Sequence, residues 1–159
     1  MEHRDYMARA LKLAAQAEEA GDVPVGCIIV RDGEIIGEGR NRREENGDAT
    51  AHAEMEAIRD ACRRIGGWRL HRCVMYVTME PCPMCAGAIV NARIGEVHYG
   101  VKDDKAGCCG SVLNLFEEQF NHHPRLYQGP LEQACRNQLT AFFQGIREAG
   151  EISGDQNET

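Results

Sequence analysis

The chain has no run approaching the roughly 20 consecutive apolar residues of a membrane-spanning helix. Its first residues, Met1-Glu2-His3-Arg4-Asp5, lead into no apolar signal core. A soluble cytoplasmic protein with no membrane partner is therefore expected. Basic residues are also in short supply: 18 Lys and Arg stand against 25 Asp and Glu, a net charge of −7. That balance excludes a protein that grips nucleic acid through bulk charge, because phosphate contacts supply most non-specific affinity. Only local clusters remain for that purpose, such as Arg40, Arg42 and Arg43, or Lys102 and Lys105. Internal repeats and linker-like boundaries are missing too. Residues 1–149 therefore read as one domain, and 150–159 as an acidic, disordered tail. Cysteine is not scarce. Eight of them without a secretion signal suggest reduced thiols and a metal rather than a disulfide framework.

Two short stretches carry the chemistry: Thr50-Ala51-His52-Ala53-Glu54 and Glu80-Pro81-Cys82-Pro83-Met84-Cys85. They offer one imidazole, two thiols and a carboxylate. A structural zinc site normally closes with four protein ligands, whereas a catalytic one keeps a position open for water. His52, Cys82 and Cys85 as ligands with Glu54 beside them fit the catalytic case, with one zinc per chain. Pro83 suits the first position of a helix, which makes Cys82 the N-cap and Cys85 the third helical residue. Both thiols then sit at the positive end of a helix dipole, where the thiolate is favoured. His52 and Glu54 lie about 200° apart around an ideal helix. They can share a site only off a helix N-terminus, and Thr50 is an acceptable N-cap for such a helix.

The remaining pattern alternates helices and strands. Met7, Ala10, Leu11, Ala14 and Ala17 recur at helical spacing between Asp5 and Ala20. Pro24 to Arg31 and Glu34 to Gly39 read as strands joined by an Asp32-Gly33 hairpin turn. A helix is expected from Ala51 to about Ile65 and a strand from Cys73 to Met79. The Cys82 helix then runs to about Ala92, followed by a strand from Ile94 to Val101. A short helix is expected over Ser111 to Phe116 and a short strand near Arg125 to Tyr127. Leu131, Cys135, Leu139, Phe142 and Ile146 mark a final helix. This order predicts an α/β fold, a three-layer α/β/α sandwich around a mixed sheet of about five strands.

His-Ala-Glu followed by Pro-Cys-x-x-Cys is the signature of the zinc deaminases of bases and nucleosides. Further matches include Val23-Pro24-Val25-Gly26, Asn41-Arg42, Tyr76 to Cys82, Ala86-Gly87-Ala88, Asp103 to Gly107, Asn121-His122 and Phe142-Phe143. On these residues the chain resembles the bacterial tRNA-specific adenosine deaminases, from about Tyr6 to Ile146. The resemblance implies the cytidine-deaminase-like fold, a homodimer and no nucleotide cofactor. It implies hydrolytic deamination of adenosine to inosine at the wobble position, with a tRNA anticodon stem-loop as partner and Glu54 as the catalytic acid and base. It also implies substrate contacts at Asn41, Ala53, Asp103, Lys105, Asn121, His122, Phe142 and Phe143. Gln133 and Gln144-Gly145 depart from the acidic and basic residues common at those places, which weakens the expected grip on RNA. The alternative is a deaminase of a free base or nucleoside such as guanine or cytidine, which suits the acidic charge. A purely structural zinc module lacks an evident fourth ligand, and an inactive RNA-binding protein would leave Glu54 idle.

Overall fold

Strand β3 (Cys73–Met79) lies at the middle of a five-stranded sheet, flanked by β1 (Gly26–Arg31) and β4 (Glu96–Val101), with β2 (Glu34–Arg40) and β5 (Arg125–Gln128) at the edges. The computed structural model describes residues 1–150, so the tail expected at 150–159 lies outside the described residues from 151 onward. β2, β1 and β3 run antiparallel in turn, whereas β3, β4 and β5 are parallel. The sheet is therefore mixed, as the sequence pattern implies. β1 and β2 meet through Asp32 (φ 50°) and Gly33 (φ 81°). Two successive positive φ angles match the right-handed strand twist, and Asp-Gly is the pair that tolerates them.

Helices cover both faces. Helices α1 (His3–Glu19) and α5 (Glu132–Glu148) share one face, and the Gln138 amide on α5 donates to the Leu11 carbonyl on α1 at 3.1 Å. Helices α3 (Ala53–Ile65) and α4 (Pro83–Ala92) pack together on the other; α2 (Arg43–Asn46) is a single turn within the loop that precedes α3. Met75, Val77, Ile28 and Ile29 of the central strands and Ile89 of α4 are fully buried between these layers. Among the described residues no helix is long and apolar enough to cross a membrane.

Glycines on the strands let the helices approach. A Cβ on Gly39 would lie 2.2 Å from the Ala53 carbonyl oxygen and 2.5 Å from the Ala57 nitrogen. α3 thus rests directly on the β2 backbone at the point where its N-terminus is placed. Gly26 admits α1 in the same way, its Cβ falling 2.0 Å from the Ala10 carbonyl oxygen. Both obstacles are backbone, which cannot swing aside. Gly39→Ala is therefore expected to cost at least the roughly 1–3 kcal/mol typical of overpacking. Urea unfolding checks this, and a loss below about 0.5 kcal/mol would show that α3 shifts freely.

Two local expectations are corrected. Thr50 does not cap α3, because its N–H and hydroxyl both donate to Asp48 Oδ1, at 2.8 and 2.7 Å. The helix begins two residues later with His52 as the N-cap in extended conformation (φ −76°, ψ 155°). Helix over Ser111 to Phe116 is also wrong in extent. Cys109 and Asn114 form an isolated antiparallel bridge, and only Leu115–Glu117 make a 3₁₀ turn, capped by the Asn114 side chain accepting from the Phe116 N–H.

Candidate active site

β3 ends at Met79 and delivers Glu80-Pro81-Cys82 to the start of α4, while β2 ends at Arg40 and leads through Asn41 and α2 to the start of α3. The site forms where these two helix N-termini meet. Cys82 is the N-cap of α4 with Pro83 at the first helical position, as the sequence predicts. Placing His52 at the N-cap of α3 puts Glu54 in the first turn, and both side chains can face a point beyond the helix end. That resolves the 200° separation.

The donor atoms converge. His52 Nδ1 lies 3.6 Å from Cys82 Sγ and 3.6 Å from Cys85 Sγ, and the three ligand atoms all fall within 4.8 Å of one another. Zn–N bonds of about 2.0–2.1 Å and Zn–S bonds of about 2.3 Å at tetrahedral angles require an N···S separation of about 3.6 Å. The cluster therefore has the size of a zinc tripod. Cys82 is the more acidic thiol, lowered to about 4 by its hydrogen bond with Cys85 and then by His52. That same bond, together with burial, raises the Cys85 thiol. Glu54 is 4% exposed, and burial followed by the Cys82 charge pushes its carboxyl up to about 7.

His52, Glu54 and Cys82 line one cavity of about 430 Å³, mouth included, together with Asn41, Arg43, Val25, Met79, Glu80, Asp103 and Ala106. Asn41 is buried; its Oδ1 accepts the Ala53 N–H at 3.0 Å and its Nδ2 donates to the Val23 carbonyl at 3.0 Å. Ala53 thus touches Asn41 and leads into Glu54. Asp103 borders the cavity, and its Oδ1 accepts the Lys105 and Ala106 N–H groups.

A second, open cleft adjoins the first through Met79. It is lined by Lys102, Lys105, Arg136, Arg147 and Phe143. Arg136 pairs with Glu132 at 2.9 Å, whereas the other three cations have no acidic partner among the described residues. Phe142 stacks edge-on against Phe143, with ring centroids 5.2 Å apart. Asn121 and His122 are not brought to either cavity. Asn121 is exposed, and His122 Nε2 donates to the Ile94 carbonyl at 2.7 Å. Two features escaped the sequence reading: the joining of the 102–105 loop with α5 into one basic cleft, and the role of Glu80, which the signature contains without explaining.

Residues 1–101 match the family described as the cytidine and deoxycytidylate deaminase zinc-binding region. The chain belongs to this family. It is 48% identical over 143 residues to the tRNA-specific adenosine deaminase of Bacillus subtilis, covering 89% of each chain. It is 43% identical over 149 residues to that of Streptococcus pyogenes, covering 93% of this chain and 87% of the relative. Among solved structures, one from work on A-to-I editing by tRNA:A34 deaminases at the wobble position superposes with a TM-score of 0.83 at 41% identity. It covers 86% of this chain and 100% of that one. The guanine deaminase of Bacillus subtilis superposes with a TM-score of 0.64 at 35% identity, covering 97% of both chains. His52, Cys82 and Cys85 lie within the matched zinc-binding region.

Proposed function

We propose that the protein is a zinc-dependent hydrolase converting adenosine to inosine at the wobble position of a tRNA anticodon. The observation that carries this reading is the basic cleft opening beside the deaminase cavity. A free base needs the cavity alone, whereas a base within RNA brings phosphates, and Lys102, Lys105, Arg136 and Arg147 supply cations next to the pocket mouth. The names of the relatives support the same substrate. A cytoplasmic homodimer using no nucleotide cofactor belongs to this reading.

His52 Nδ1, Cys82 Sγ and Cys85 Sγ would hold the zinc. Bound there, the ion lowers the pKa of water towards neutrality and so makes hydroxide available at working pH. The protein's own groups handle the protons. Glu54 takes a proton from water and passes it to N1 of the purine ring as the oxygen–C6 bond forms. Glu54 then moves the hydroxyl proton to N6, the C6–N6 bond breaks, and ammonia leaves a C6 carbonyl. Asn41 holds α3 through the Ala53 N–H and presents its amide to the base. Asp103 shapes the opposite wall. Lys105 and the Phe142–Phe143 pair are assigned to the RNA beside the target, and Asn121 with His122 to a more distant part of the loop. A base in a duplex cannot reach such a pocket, so the target is presented unpaired or flipped.

The runner-up is deamination of a free base or nucleoside such as guanine or cytidine, favoured by the likeness to guanine deaminase. Inosine formation on an arginine-tRNA anticodon stem-loop, assayed beside free adenosine, cytidine and guanine, separates the two. Strong preference for the stem-loop is expected. Its salt dependence should be shallow, with a log–log slope no steeper than about −3, since four cations neutralise at most about four phosphates at roughly −0.7 each. Efficient turnover of guanine or cytidine with an untouched stem-loop would establish the runner-up instead.

A further inference from the structure

We infer that Glu80 is a positioning residue whose buried carboxylate holds segment 103–111 in place as one wall of the substrate cavity. This rests on the deaminase reading above. Glu80 is 3% exposed and forms no ion pair among the described residues. Its carboxylate is instead met by donors from the segment. Oε1 accepts the Asp103 N–H at 3.1 Å and the Ser111 hydroxyl, and Oε2 accepts the Cys109 N–H at 2.9 Å and the Ser111 N–H at 3.1 Å. A carboxylate can accept about four hydrogen bonds, so these four saturate it.

A second observation agrees. A Cβ on Gly107 would fall 2.4 Å from the Glu80 carboxyl carbon and 2.4 Å from Oε2. The segment is thus moulded around this carboxylate, with glycine where any side chain would collide. The Cys108 N–H adds a further tie to the Pro81 carbonyl at 2.8 Å.

The consequence reaches the substrate through Asp103. Its N–H is fixed by Glu80, and its own Oδ1 accepts the Lys105 and Ala106 N–H groups. Asp103 and Ala106 face the cavity, while Lys105 faces the basic cleft. One buried carboxylate therefore sets where both the pocket wall and the adjoining cation stand. Both of its oxygens are taken up by the segment's own donors.

Glu80→Gln tests this with little change in volume. A carboxamide presents one oxygen and one NH₂ group. With its oxygen kept towards the Cys109 and Ser111 N–H groups, the NH₂ confronts the Asp103 N–H, and only the Ser111 hydroxyl can reorient to accept from it. The variant should thus release the Asp103 end of the segment selectively. In the zinc-loaded full chain, zinc content should stay at about one per chain. KM for the stem-loop should rise about tenfold or more, since an ångström-scale misplacement is costly, while kcat stays within about threefold. Amide hydrogen exchange at Asp103 should accelerate by about tenfold or more, more than at Cys109 or Ser111.

Ser111→Ala removes one of the four donors and should raise KM about threefold. It decides the matter alone if Glu80→Gln does not fold, and an unchanged KM then overturns the inference. An unchanged KM or unchanged Asp103 exchange in folded Glu80→Gln overturns it as well. A fall in kcat at constant KM would make Glu80 catalytic instead. If wild-type protein proves inactive on the stem-loop, the substrate reading fails, but faster Asp103 exchange still supports the positioning role. Kinetics then move to whichever free base the wild type deaminates, where an unchanged KM overturns it.

Discussion

Glu54→Ala is expected to fold, to keep its zinc and to lose at least 10²–10⁴-fold in kcat, about the range that general acid–base groups contribute. Glu54 is asked to serve the ring nitrogen and the leaving amine in succession, so the loss should lie towards the upper end. The structure separates this effect from one on stability. Glu54 is 4% exposed, forms no ion pair among the described residues, and burial pushes its carboxyl up to about 7. A buried carboxyl of this kind is held at some expense to the fold, as functional groups often are. Glu54→Gln removes the charge without opening a cavity, so it should melt at the same temperature as wild type or higher while being as inactive as Glu54→Ala. Metal analysis, thermal melting and stem-loop kinetics on both variants make the test. Retention of a tenth of wild-type kcat in either would remove Glu54 from the chemistry.

The parts of this site that were legible in the sequence are those whose determinants are local. Cys82-Pro83 announces a helix start because proline loses nothing at the first helical position, and the structure has Cys82 as the N-cap. Asp32-Gly33 announces a tight hairpin because both residues tolerate positive φ, and both have it. The cap of α3 was misread by two residues because Asp48, itself a good hydrogen-bond acceptor, captures Thr50. That competition is decided by which side chain the preceding α2 turn brings close. Glu80 was hidden for a different reason. In sequence it is a strand-end residue before Pro81; its partners lie 23 to 31 residues away, and no spacing rule links them. The basic cleft was missed for the same reason. Lys102 and Lys105 follow β4 while Arg136 and Arg147 sit on α5, and only the packing of α5 on the sheet brings them together.

Cys85→Ser should abolish stoichiometric zinc binding, taking the metal from about one per chain to a small fraction of that. Serine retains the shape of the side chain but not an ionisable sulfur, and thiolate is the form that ligates zinc. Cys85 is fully buried at the third position of α4 and lies 3.6 Å from His52 Nδ1. A serine there leaves His52 and Cys82 as a two-ligand site. Three protein ligands already sit one below a closed structural site, so loss of one leaves the ion weakly held. Cys27 and Cys135 are equally buried but stand outside the cluster. Cys27→Ser and Cys135→Ser should therefore keep full zinc and act as controls for general thiol effects. The stability readout has a definite sign as well. Zinc binds the folded chain, so its loss removes RT ln(1 + [Zn]/Kd), about 2.7 kcal/mol where zinc exceeds Kd a hundredfold. Chelation of wild-type protein should lower its melting temperature to that of Cys85→Ser and should not lower the variant further. Full zinc occupancy in Cys85→Ser would refute the ligand assignment. An equal loss in Cys27→Ser would mean that the metal content reports folding rather than a site.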